Sequence, residues 1–173
     1  TSQYGMNWSP RRITVSTAGV ADRIAAFASL GTADLAVSLN AADDRTRSKI
    51  MPVNRKYPLD GLIASCREYA TRTGRKITFE YVLLGGVNDS PEDAERLGRL
   101  LGGIPCKINL IPFNECDELE FRRPAEAAVE NFRRKLLRKG YDVFQRRSRG
   151  ADISAACGQL GGVRVGETRK EKG

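Results

Sequence analysis

The 173-residue chain contains no histidine. That single absence removes Ser-His-Asp and Cys-His nucleophiles, imidazole-ligated zinc and an imidazole general base, leaving Cys, carboxylates, Lys, Ser and Asn to carry any chemistry. No CxxC pair occurs either. The four cysteines are Cys66, Cys106, Cys116 and Cys157. Their spacing matches neither a zinc knuckle nor a small secreted disulfide framework, so a reducing, cytoplasmic setting is expected. No apolar run approaches the roughly 20 residues of a membrane span, and no charged-then-apolar leader opens the sequence. The expectation is a soluble protein with no membrane partner.

What is present fits one domain, or one domain with an appendage. Hydrophobic residues make up 40% and charged residues 29%, the balance of an ordinary globular chain with enough material for a core. Lys and Arg number 29 against 21 Asp and Glu, a formal net charge of +8. Such an excess favours a polyanion such as RNA, but composition alone leaves an ordinary basic protein equally open.

Short β-branched runs alternate with longer helical stretches, the pattern of βα units around a parallel sheet, so an α/β fold is predicted. Strands are read near Ile13 to Ser16, Leu35 to Leu39, Ile77 to Leu84, Lys107 to Phe113 and Tyr141 to Gln145. Helices are read at Ala21 to Ser29, Leu59 to Thr73, Pro91 to Leu101 and Pro124 to Arg138. Ser90-Pro91-Glu92-Asp93 supplies a capping hydroxyl, a proline at the first helical position and a carboxylate at the third. The helix from Pro124 is expected to bury Ala125, Ala128, Val129, Phe132 and Leu136 at helical spacing, and Gly140 ends it. Its Arg133, Arg134, Lys135, Arg138 and Lys139 read more simply as a solvated basic face than as an RNA-binding surface. Both termini are expected to fray.

Active sites of βα architectures gather at the carboxyl ends of the strands. Here those ends read Ser16-Thr17-Ala18-Gly19, Ser38-Leu39-Asn40, Gly85-Gly86-Val87-Asn88 and Pro112-Phe113-Asn114. Each alone is ordinary turn or capping chemistry. Together they suit a pocket for a polar small molecule. Glu80 and Asn109 fall in the middles of apolar strands, and a carboxylate there must either line a wet cavity or meet an Arg or Lys. The run Arg146-Arg147-Ser148-Arg149-Gly150-Ala151-Asp152-Ile153-Ser154-Ala155-Ala156-Cys157-Gly158 sets a cysteine among small residues behind three arginines. Cys157 is there either a small apolar filler or a thiolate whose pKa the arginines lower.

Six blocks in order carry a resemblance: RRITVSTAGV, AVSLNA, PVNRKY, FEYVLL with VND, CKINLIPFN and RGADISAACGQL. Over about Arg11 to Gly162 the sequence resembles the radical-SAM RNA adenine methyltransferases of the RlmN and Cfr type. The resemblance is to the later part of that family. Its N-terminal accessory domain, its CxxxCxxC loop for a 4Fe-4S cluster and its Gly-Glu-Pro motif have no counterpart in these residues. It implies a partial radical-SAM barrel, truncated at its N-terminus, plus a C-terminal αβ extension. The expected division is a lead-in over 1–10, barrel strands three to six over 11–117, an extension with the reactive-cysteine loop over 118–162, and a basic tail over 163–173. A sheet so truncated exposes a parallel edge, and self-association of the chain is expected.

By position, the resemblance implies that Ser16, Ser38, Leu39, Asn40 and Asn114 contact S-adenosylmethionine. Asn40 stands where many members have histidine, which implies contact through its backbone. Cys157 matches the cysteine that becomes S-methylated and passes the methyl carbon to carbon 2 of adenine. The implied substrates are ribosomal RNA and transfer RNA, with an electron donor for the cluster. No metal ligand is expected on this chain, which is expected to be inactive alone. Methylation at carbon 8, as in the Cfr branch, and a non-catalytic RNA-binding βα domain are the alternatives.

Overall fold

The computed structural model describes residues 13–30, 33–115 and 119–146. Five strands form one sheet: β1 (Thr14–Thr17), β2 (Asp34–Ser38), β3 (Ile77–Leu83), β4 (Cys106–Pro112) and β5 (Asp142–Gln145). Their order follows the chain, β1-β2-β3-β4-β5, and every pairing is parallel. The expected α/β architecture is therefore present. Each strand lies within about one residue of its predicted place, the margin to which element ends are defined.

Five helices connect or follow the strands: α1 (Ala21–Leu30), α2 (Asp44–Ile50), α3 (Leu59–Thr73), α4 (Pro91–Leu100) and α5 (Glu126–Arg138). A 3-10 turn, Pro52–Arg55, follows α2. Ile24 and Ala28 of α1, Leu62 and Cys66 of α3, Ala94 and Leu97 of α4, and Phe132 and Leu136 of α5 share one core with Leu35, Val37, Phe79, Tyr81, Ile108 and Leu110. Because strand side chains alternate between faces, this places the four longer helices on one side of the sheet. Sequential order with helices on one side is the winding of a βα barrel; a doubly wound sheet reverses its order and covers both faces.

Local punctuation agrees with the sequence in two places, and the stripe of α5 agrees in part. Ser90 and Asp93 form a reciprocal capping box at the start of α4. Gly140 takes φ +85, as a left-handed residue after a helix. On α5 the buried stripe is Val129, Phe132 and Leu136. Ala128 is only half-buried and Ala125 is exposed, because the helix begins two residues later than predicted. The basic face of α5 is largely paired: Arg133 and Arg134 reach Glu130, and Lys135 and Lys139 reach Glu95. That arrangement fits the solvated-face reading.

A smaller cluster closes the carboxyl end of the sheet, built from Ala41, Ile50, Met51, Val82, Leu84, Ile111 and Phe113, with Leu119 and Phe121 against it. Its contributors Ile50 and Met51 come from α2 and the residue after it. No apolar period in the sequence predicts α2.

Candidate functional site

One face of the sheet is apolar throughout, while the other is mixed, a polar row lying just below the smaller apolar cluster of Val82 and Ile111. Opposite the helical core, register places Ser38 beside Glu80 and Glu80 beside Asn109, three polar residues abreast on β2, β3 and β4. Two residues earlier along the strands, Ala36, Thr78 and Lys107 form the row below. Ser38, Thr78, Glu80 and Asn109 are half-buried and Lys107 is exposed. Purely parallel sheets are ordinarily apolar on both faces because helices cover both. A polar row across three central strands departs from that rule, and the departure marks a surface built to meet something other than a helix.

Glu80 joins no ion pair among the described residues. Ser16, exposed near the end of β1, lies beside Ala36 and shares the polar face with Ser38. Leu39 differs: its side chain sits in the main core, its N–H donates to the Glu80 carbonyl at 2.9 Å, and its own carbonyl accepts from Arg47 at 2.9 Å. Cys157 lies outside the described residues.

Asn40 is buried and takes φ +59, a left-handed conformation that a short amide side chain tolerates. Its side-chain carbonyl accepts from the Val82 N–H at 2.9 Å, while its amide nitrogen lies 3.2 Å from the Met51 sulfur. Its backbone carbonyl accepts from the Asn88 side chain at 2.7 Å. Asn88 also donates to the Val82 carbonyl at 2.8 Å and accepts from the Leu84 N–H at 2.7 Å. These two asparagines lock the ends of β2 and β3 together, supplying the pairs that the diverging strands no longer give each other. Asn114, half-buried after β4, accepts from the Arg123 guanidinium at 2.8 Å.

Arg47 and Asn54 were invisible as site residues in the sequence. Arg47 is fully buried on α2 and donates to the carbonyls of Ala18 at 2.8 Å, Ser38 at 3.2 Å and Leu39 at 2.9 Å, and to the Asn54 side chain at 2.8 Å. Asn54 in turn donates to Asp44 and Ser48, and Asp44 accepts from the Leu59 N–H. Burial pushes the Arg47 pKa down to about 10, with Asp44 opposing the shift, so the guanidinium remains charged at neutral pH. A signal existed in Asp43, an N-cap residue whose carboxylate accepts from the Thr46 N–H, immediately before a helix-competent run.

Cys66 and Cys106 are both buried free thiols. Burial raises Cys66 to about 12 and Cys106 to about 11, which keeps both protonated and poorly nucleophilic. Among the described residues no three His, Cys, Asp or Glu side chains converge as a metal-ligand set. No described helix is long and apolar enough to cross a membrane.

No family model matches the chain. The "Dual-specificity RNA methyltransferase RlmN" of Geobacter sulfurreducens is 57% identical over 158 residues, covering 91% of this chain and 44% of the relative. The protein of the same name from Anaeromyxobacter dehalogenans is 54% identical over 159 residues, covering 92% of this chain and 43% of the relative. The crystal structure of a radical SAM methyltransferase from Sphaerobacter thermophilus superposes with a TM-score of 0.87 at 49% identity, covering 92% of this chain and 47% of that one. A domain of pyruvate-formate lyase-activating enzyme from Bacteroides vulgatus, at TM-score 0.62 and 16% identity, shares the fold alone. The chain spans less than half the length of the curated relatives it matches. Across that span, the chain is homologous to the RlmN-type dual-specificity RNA methyltransferases and has the fold of a radical SAM methyltransferase.

Proposed function

We propose that this chain is the part of a radical-SAM RNA methyltransferase that holds S-adenosylmethionine on the polar sheet face and carries methyl to carbon 2 of an adenine in ribosomal and transfer RNA. The observation that supports it best is the row Ser38, Glu80 and Asn109 on the face the four longer helices leave open. Hydroxyl, carboxylate and amide side by side offer both donors and acceptors to a ligand that itself carries a carboxylate, an ammonium, a ribose diol and a purine. Ser16 and the segment from Ser38 to Asn40 line the same carboxyl end of β1 and β2, and Asn114 stands at the end of β4.

The reaction class follows from the substrate atom. Carbon 2 of adenine lies between two ring nitrogens and is electron-poor, so it cannot attack an electrophilic methyl group directly. Cys157 would take up the methyl group on its sulfur first, releasing the thiol proton to solvent. S-adenosylmethionine, when bound, would supply that methyl group and, on one-electron reduction by a donor that the described residues do not hold, the radical chemistry needed to activate it. The polar face orients the cofactor, and the basic chain, with its net charge of +8, neutralises RNA phosphates. The adenine must leave its stack to reach the site. The described residues offer no ligand set that fits a 4Fe-4S cluster, so none of them is assigned to one.

Nucleoside mass spectrometry of RNA from cells making the native protein tests this reading. Carbon-2 methyladenosine is expected with the wild type and absent with Cys157→Ala. Methylation that persists in the variant would defeat the assignment, and a product methylated at carbon 8 would move the protein to the other branch of the family.

A further inference from the structure

We propose that Arg47 is a positioning residue that holds the carboxyl ends of β1 and β2 in the geometry the cofactor surface needs. The inference rests on the function proposed above for that surface. Its basis is that one buried guanidinium gathers three main-chain carbonyls from two separate strand ends, those of Ala18, Ser38 and Leu39.

Burying a charge is costly unless its donors are satisfied. Arg47 joins no ion pair among the described residues; Asp44 acts on it at a distance and through Asn54. Its compensation is thus mostly backbone dipoles, and the geometry of the fork dictates where those carbonyls point. Ser38 is the pivot. Its side chain faces the polar row while its carbonyl is held by Arg47, so the guanidinium sets the peptide plane between Ser38 and Leu39.

The surroundings are shaped around this contact. A Cβ at Gly19 would stand 2.7 Å from an Arg47 terminal nitrogen, and Gly19 also takes φ +102, a conformation that L side chains rarely adopt. The turn after β1 therefore has room for the guanidinium only as glycine. On the other side, Asn54 ties Arg47 to the 3-10 turn, and Asp44 carries the connection to the first turn of α3 through the Leu59 N–H. Three segments meet at one cation, the turn after β1, the end of β2 and the 3-10 turn, and the start of α3 joins them through Asp44.

Lysine keeps the charge but presents a single ammonium that cannot span four acceptors. In the native protein, Arg47→Lys is expected to raise KM for S-adenosylmethionine about tenfold, the loss from a few net hydrogen bonds, with kcat falling much less. Hydrogen exchange at the amides of Leu39 and Ala41 is expected to accelerate about tenfold relative to Leu110 and Phe132. A residue with a merely structural role would lower the amount of active protein and speed exchange throughout, leaving KM in place. Asn54→Ala, which removes one of the four acceptors, is expected to shift both readouts in the same direction by less, and it serves if Arg47→Lys does not fold. Unchanged KM and unchanged local exchange in a folded variant overturn the positioning role while leaving the functional reading intact. A wild type with no saturable dependence on S-adenosylmethionine overturns the functional reading, and with it the cofactor half of this inference; the exchange pattern then still decides whether Arg47 fixes the strand ends.

Discussion

Cys66 shows how burial fixes chemistry at the scale of one residue. Its thiol faces the main core, and desolvation lifts its pKa from 9.0 to about 12. The native state therefore grips this proton more tightly than the unfolded chain does. Stability from this source is complete below about pH 9 and declines as pH rises towards 12. Urea midpoints measured from pH 8 upward should fall more steeply for the wild type than for Cys66→Ala; parallel curves would show that Cys66 titrates alike in both states. At the same scale, Arg47 and Asn40 show where reading the sequence stops. A charged residue in a run such as Asp43-Asp44-Arg45-Thr46-Arg47 is ordinarily solvated, and only the three-dimensional meeting of two strand ends makes burial of this one worthwhile. The opposite holds for Glu80 and Asn109, whose position inside apolar strands was itself the signal.

Elements with a strong hydrophobic period were legible, and those held by polar contacts were not. Four helices and five strands announce themselves by spacing and punctuation. The short α2, Asp44–Ile50, has one apolar residue and no apolar stripe; it is held by its Asp43 cap and by buried Arg47. The loop after β3 carries another contact that pattern cannot reveal. The Gly85 N–H donates to the Arg122 carbonyl at 2.8 Å, and a Cβ on Gly85 would stand 2.8 Å from the Arg123 carbonyl oxygen. Backbone, unlike a flexible side-chain tip, cannot step aside cheaply. Gly85→Ala is expected to cost about 2 kcal/mol in urea unfolding, by displacing the 122–123 segment and the Arg123 contact to Asn114 with it. A cost below about 0.5 kcal/mol, the ordinary range for a surface substitution, would show that the segment is free to move.

At the scale of the whole molecule, the five-stranded sheet divides its labour by face. One side is an apolar core under four helices; the other carries Ser16, Ser38, Thr78, Glu80, Lys107 and Asn109, with the apolar Val82 and Ile111 above them at the carboxyl end. The edges are open in kind, with Val15 of β1 40% exposed and Phe144 of β5 58% exposed. The polar interruptions at Glu80 and Asn109 are legible in the sequence, while their sharing of one sheet face follows from register. The winding of the sheet emerged only from the strand order, which no local pattern encodes. The central claim is that the polar face binds S-adenosylmethionine. Titrating the cofactor into isotope-labelled native protein and following backbone amide resonances tests it most directly. Saturable shifts concentrated at Ser16, Ser38, Glu80 and Asn109 are the expected result; shifts confined to the helical side, or none that saturate, would contradict it.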